Sequence, residues 1–209
     1  MTQKVRIAII SDTHDNLATL KKAVDWINKN GIEQIIHCGD IASFETLRTL
    51  SESFDGKIQL VFGNMDDDYS LSENLKNHPL ANVVAHGKIG AIDIDGNPPS
   101  SLDKSLDGEL GTVEPLGTTE GHDPPSPKAA EGKKIAFTHF PHPAEDLAKG
   151  EKYDIVFYGH THKPWEEKIG RVRLVNPGNL AGQFYKPSFA IYDTGANRLE
   201  LKILDDLCP

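Results

Sequence analysis

Cysteine is almost missing from this chain. Two in 209 residues, Cys38 and Cys208, exclude a disulfide framework. Cys38 falls inside an apolar run, where a free thiol behaves as a small hydrophobe. Both features suit a reducing cytoplasm. Long apolar runs are missing too. None approaches the roughly 20 residues needed to span a bilayer, so no membrane partner is expected. The early run Ile7-Ala8-Ile9-Ile10 meets the charged Asp12 almost at once. It is too short for a signal peptide and reads as a first core strand. Positive charge is also in short supply. Lys and Arg number 22 against 31 Asp and Glu, a net charge of −9. An acidic surface repels polyanions at long range, which argues against non-specific nucleic-acid binding. There is no internal repeat. The rest is ordinary globular composition, 38% hydrophobic and 25% charged, with enough chain for one sizeable core.

Against that plain background, six short apolar runs each end on a polar cluster. Residues 7–10 lead into Ser11-Asp12-Thr13-His14, and 35–38 into Gly39-Asp40. Residues 58–62 lead into Gly63-Asn64, and 135–137 into Thr138-His139. Residues 155–158 lead into Gly159-His160-Thr161-His162, and 174–175 into Asn176-Pro177-Gly178-Asn179. Short apolar, β-branched runs read as buried strands. In open sheets, ligands collect beyond the carboxyl ends of strands.

The first third alternates strand and helix. Leu17, Leu20, Val24 and Ile27 fall at helical spacing, and Gly31 stands where that helix would stop. Leu47 and Leu50 mark a second helix that Ser43 could cap, and a third lies near 71–77, ended by Pro79. Such alternation implies a parallel sheet with helices on its faces. After about residue 82, segments 83–86, 89–94, 134–137, 155–158, 171–175, 188–192 and 199–204 read as strands. Most are separated by short turns, so a second, mixed or antiparallel sheet is expected. Residues 97–132 do not fit. They hold six of the 13 prolines, five glycines and no aromatic residue. That composition cannot offset its own ordering entropy. The segment reads as a flexible insertion in a hairpin of a single domain spanning 1–209.

Chemistry gathers at the strand ends. Asp12 and His14 are two apart and reach the same side. His160 and His162 repeat that spacing. Asp40 has two carboxylate oxygens and can bridge two ions; Asn64 offers a carbonyl oxygen and His139 a ring nitrogen. Imidazole with carboxylate suits manganese, iron, zinc, nickel or cobalt rather than magnesium or calcium. Two such ions clamp a phosphoryl group and generate hydroxide near neutral pH.

Asp12-Thr13-His14, Gly39-Asp40, Gly63-Asn64, His139 and Gly159-His160-Thr161-His162 together resemble the calcineurin-like metallophosphoesterases. Their order and spacing are most similar to the small single-domain phosphodiesterases of bacteria and archaea. The resemblance implies a four-layer α/β/β/α sandwich of two mixed sheets flanked by helices. It implies that Asp12, His14, Asp40 and His162 hold one ion, and Asp40, Asn64, His139 and His160 the other. It further implies two divalent transition metals, manganese first, and a bridging hydroxide that attacks phosphorus in line with the departing oxygen. The phosphoprotein phosphatase branch follows its ligand Asn with His and Glu, whereas this chain has Met65 and Asp66. That departure disfavours a protein phosphatase. Many relatives follow the ligand at His139 with Gly and a second His; here the run is Phe140-Pro141-His142.

The expectation is therefore a cytoplasmic phosphodiesterase acting on small phosphoesters. Asp40 and Asn64 stand at the reacting centre, and Asp66 and His142 are the candidates for proton transfer. A phosphomonoesterase or nucleotidase with the same site is the first alternative. A retromer-type scaffold is the second, although such homologues have lost ligands that this chain keeps. Homo-oligomerisation is left open. His37, just before Gly39, reads as a buried supporting histidine.

Overall fold

The computed structural model describes residues 5–93 and 133–207. Strand β1 (Arg6–Ile10) shows why the first apolar run has no polar break. Alternate residues of a strand point to opposite faces, and here both faces are covered. Ile7 and Ile9 enter one apolar cluster, Ala8 and Ile10 another. Beside β1 lie β2 (Gln34–His37), β3 (Lys57–Leu60) and β4 (Val83–Ala85), all parallel. Parallel neighbours need crossovers, supplied by helices α1 (Leu17–Lys29), α2 (Phe44–Ser53) and α3 (Asp68–Asn77). The side chains of Asn16, Ser43 and Asp67 cap these helices by accepting the N–H groups of Thr19, Thr46 and Ser70.

The second sheet holds β5 (Ile89–Asp93), β6 (Lys134–Thr138), β7 (Ile155–Phe157), β8 (Trp165–Ile169) and β9 (Val172–Asn176) in the order β5-β6-β7-β9-β8. Its three middle strands are parallel, and both edge strands are antiparallel to their neighbours. Helix α4 (Pro141–Lys149) covers its outer face through Ala144 and Ala148. Three apolar clusters fill three seams: helices on the first sheet, sheet on sheet, and α4 on the second sheet. The layers are thus α/β/β/α, with two mixed sheets, as the resemblance implied.

The strands after residue 82 do not form one sheet. β4 adds to the parallel run, and β10 (Ser188–Asp193) and β11 (Arg198–Ile203) return antiparallel beside β1, giving β11-β10-β1-β2-β3-β4. An apolar run identifies a strand but not its partner. Two elements had no sequence expectation. Strand β8 reads Trp-Glu-Glu-Lys-Ile and is an exposed edge. Helix α4 begins with two prolines in three residues and buries only alanines. Leu17, expected on the apolar face of α1, is 47% exposed. Asp93 of β5 pairs with Lys134 of β6, so a hairpin flanks the proline-rich stretch; residues 97–132 themselves lie outside the described residues. Among the described residues, no helix is long and apolar enough to cross a membrane.

Phe157 sits between the sheets, fully buried, with its ring centroid 5.8 Å from that of Tyr192. Phe157→Ala should cost about 3–5 kcal/mol in urea unfolding. Leu201→Ala, on the exposed side of β11, should stay within about 0.5 kcal/mol. Equal losses would contradict the sheet-on-sheet seam.

Candidate metal centre

The carboxyl ends of β1, β2, β3, β6 and β7 converge, and they bring Asp12, His14, Asp40, Asn64, His139, His160 and His162 into one cluster. Asp12 is 0% exposed and Asp40 2%. The nitrogens and oxygens that could hold an ion lie within 4.8 Å of one another for Asp12, His14 and His162, and again for Asp12, Asp40 and His139. Asp40 Oδ2 lies 3.7 Å from His14 Nε2 and 3.4 Å from His139 Nε2. His162 Nε2 lies 3.2 Å from Asp12 Oδ1 and 3.2 Å from His14 Nε2. Asn64 Oδ1 lies 3.1 Å from His139 Nε2 and 2.9 Å from His160 Nδ1. Asp12 is therefore as central as Asp40, which the motifs alone do not reveal.

Backbone geometry is unusual at these positions. Asp12, His14, Asp40, His160 and His162 have φ of 53°, 45°, 56°, 67° and 61°. The left-handed region disfavours L-residues by roughly 1–2 kcal/mol each, and such strain gathers at functional sites. Across His160 the Thr161 N–H donates to the Gly159 carbonyl at 2.8 Å, a γ-turn of the positive-φ hand. Gly159, just before that turn, must be glycine for want of space. A Cβ there would stand 2.0 Å from Ser11 Oγ and 2.7 Å from Asp12 Oδ2. At Gly63 a Cβ would stand 2.1 Å from Asp40 Oδ1. The strand-end glycines make room for the carboxylates.

The electrostatics suit a cation. Both oxygens of Asp12 accept the His160 N–H, at 3.2 and 3.1 Å, and Asp40 Oδ1 accepts the Met65 N–H at 2.8 Å. Burial pushes the Asp40 carboxyl up, but the His139 bond, the Met65 N–H and His14 outweigh it and hold it below its usual range. Burial pushes His139 down, while Asp40 and Asp12 lift it above its usual value. His139 Nδ1 contacts the Cys38 carbonyl at 2.8 Å. A carbonyl only accepts, so Nδ1 carries a proton, and Nε2 is the ring nitrogen turned toward the Asp40 and Asn64 oxygens, where a proton or a cation can sit between them. His162 turns Nε2 toward Asp12 and His14, and the Asp12 carboxylate lifts its pKa above the usual value against burial. Carboxylate oxygens, an amide oxygen and imidazole nitrogens converging in this way fit a bound divalent ion, and the Cys38 carbonyl already orients the His139 ring.

Supporting residues surround the cluster. Asp66 is buried, and its oxygens accept the N–H groups of Asp40, Gly63 and Ala42 at 2.8, 2.7 and 2.8 Å. Burial raises its carboxyl above the usual range against those three bonds. It ties the ends of β2 and β3 together. His142 is not brought in; its side chain is 85% exposed on α4, with Nδ1 3.2 Å from Asp146. Asn176 donates to the Gly159 carbonyl at 2.7 Å, and Asn179 to the His162 carbonyl at 3.1 Å. Their Asn-Pro-Gly-Asn run was visible in the sequence; the hydrogen bonds were not. His37 Nδ1 accepts the Gly39 N–H at 3.2 Å and its Nε2 meets Thr13 Oγ1 at 2.9 Å. Burial pushes its pKa down to about 4.

Comparison with known proteins follows the same lines. The calcineurin-like phosphoesterase superfamily domain matches residues 5–197. The chain is 28% identical over 194 residues to phosphodiesterase MJ0936 of Methanocaldococcus jannaschii, covering 91% of this chain and 93% of that one. It superposes on the structure of an archaeal phosphodiesterase with a TM-score of 0.69 at 25% identity, covering 95% and 99% of the two chains. Vps29 of Entamoeba histolytica, in complex with zinc, shares the fold with a TM-score of 0.55 at 15% identity, covering 95% and 97%. The chain belongs to the calcineurin-like phosphoesterase superfamily and is a phosphoric ester hydrolase.

His37 yields a pH prediction. Between about pH 6.5 and about pH 4 the unfolded chain takes a proton at this ring that the folded chain refuses. Stability should therefore fall as pH drops through that window, by up to about 3 kcal/mol from this group. Urea unfolding of the parent and His37→Gln across the window checks this. Whatever the variant's absolute stability, its slope against pH should be shallower. Identical slopes would contradict a neutral buried His37.

Proposed function

We propose that this protein hydrolyses phosphodiester bonds in small substrates with two divalent ions, manganese first. Asp12, His14, Asp40 and His162 would hold one ion, and Asp40, Asn64, His139 and His160 the other. The observation that carries this reading is the Asp40 carboxylate, with one oxygen within 3.7 Å of His14 Nε2 and 3.4 Å of His139 Nε2. The similarity to a phosphodiesterase over 91% of the chain supports the diester class. When bound, such ions polarise phosphoryl oxygens and lower the pKa of water to near neutrality. The chain's own part is to fix the geometry. Asp66 holds the Asp40 and Gly63 amides, Gly159 leaves space for Asp12, and the buried carboxylates set the charge. A reducing, cytoplasmic setting belongs to the same reading, since Cys38 is a buried free thiol.

Asp40→Asn should lower the occupancy of both ions and reduce turnover by orders of magnitude. His162→Ala should deplete mainly one ion. Elemental analysis beside diester assays tests the assignment; two metals per chain and near-normal turnover in Asp40→Asn would remove the bridge.

The leaving group supplies a second test. Met65 follows Asn64 and has no proton to give. Both Asp66 oxygens are engaged by backbone amides, and His142 points to solvent. General acid catalysis contributes about 10²–10⁴-fold where present. Here aryl diesters should be cut much faster than alkyl diesters, and Met65→His should narrow the gap. Asp66→Asn should slow every ester alike, because Asp66 positions the loop. A flat dependence on leaving-group pKa in the parent, steepening in Asp66→Asn or His142→Ala, would identify an acid and overturn this view.

A further inference from the structure

Residues 179–187 lead from the centre to β10, and their tip carries an aromatic ring that the core does not use. Phe184 is 90% exposed and has φ of 64°. The Tyr185 N–H donates to the Gln183 carbonyl at 2.7 Å. Phe184 is thus the central residue of a γ-turn of the positive-φ hand, the rare and strained form. For a bulky side chain this backbone is an outlier, and at this exposure no burial energy offsets it. His160, within the centre, occupies the same kind of turn.

The turn is pinned to the centre itself. Asn179 is fully buried; it donates to the His162 carbonyl at 3.1 Å and accepts the Gln183 N–H at 3.0 Å. The N–H groups of Leu180 and Ala181 donate to the Ser11 and Asp12 carbonyls at 2.9 and 3.0 Å. The backbone that carries Asp12 and His162 therefore also holds Phe184. Its ring centroid lies 5.7 Å from that of His162. Across the cluster, the Phe140 ring lies 4.9 Å from those of His139 and His160. The rim beside the candidate ligands is aromatic.

We propose that Phe184 is a stacking platform for a flat ring carried on the phosphoester, and that the substrates are small phosphodiesters bearing a nucleoside. The proposal rests on the phosphodiesterase reading above. Every nucleobase offers a π-face, and base-on-aromatic stacking tolerates sequence. In a nucleotide the base stands one sugar away from phosphorus, which suits a ring beside the candidate ligands rather than among them. The net charge of −9 favours a single nucleotide unit over a polymer. Asn179 acts through the turn and is a positioning residue.

The test uses two diesters with one leaving group, thymidine 5′-(4-nitrophenyl phosphate) and methyl 4-nitrophenyl phosphate, at saturating manganese. Parent, Phe184→Ala, Phe184→Trp and Phe184→Gly are compared, with Tm for each. Calorimetric binding of thymidine 5′-monophosphate against inorganic phosphate gives a readout independent of turnover. The parent should prefer the nucleoside diester. Phe184→Ala and Phe184→Gly should lose that preference by roughly ten-fold or more, mainly in KM, and lose the binding preference in parallel. Phe184→Trp should retain both. Phe184→Gly should melt no lower than the parent, because glycine accepts positive φ. An unchanged preference in Phe184→Ala, no preference in the parent, or a large fall in Tm in Phe184→Gly would overturn the proposal. A parent that cuts neither diester refutes the phosphodiesterase reading instead, and the binding ratio then decides the role of Phe184 alone.

Discussion

Two carboxylates, Asp12 and Asp40, lie side by side with almost no solvent where the carboxyl ends of two sheets meet. Burying one unpaired charge costs several kcal/mol, and a second of the same sign adds repulsion. Most of the local structure answers that demand. Backbone N–H groups of His160 and Met65 point at the carboxylates. Four imidazoles gather around them, and two of these are held above their usual pKa by the same field. Left-handed turns aim the side chains inward, and glycines clear the space. Stacking two sheets with their carboxyl ends on one side brings all these groups together from distant parts of the chain.

Much of this was legible from the residues. Buried strands covered on both faces have no polar alternation, so the apolar runs and their polar endings stood out. Metal-type side chains directly after strands are unusual enough to identify the cluster. Strand partners were less legible. Nothing local to residues 188–193 says that they lie beside β1 rather than in the second sheet; that pairing depends on contacts far away in sequence. Helix α4 escaped because prolines open it and alanines bury it. Asp66 stood out only as a candidate for proton transfer, and the fold shows three amides closing on it. Phe184 carried no signal, because its interest lies wholly in where the turn places it.

Strain and rigidity work together around the cluster. A left-handed residue persists only where its surroundings leave it no alternative. Asn176 and Asn179 provide such surroundings, tying the carbonyls of Gly159 and His162 to the end of β9 and to the loop before β10. Both are neutral amides. They restrain the backbone without adding charge to a region already crowded with it.

The edges of the two sheets have a consequence for how the molecule behaves in company. An open strand edge is a template on which another chain can pair. Edge strand β8 carries Glu166, Glu167 and Lys168, and edge strand β11 carries Arg198, Glu200 and Lys202. Edge strand β4 is only three residues long. Charged side chains that would have to give up water, or too short a run of free amides, make sheet extension unfavourable at these edges. At high concentration the molecule is thus protected there against growing end to end through its sheets.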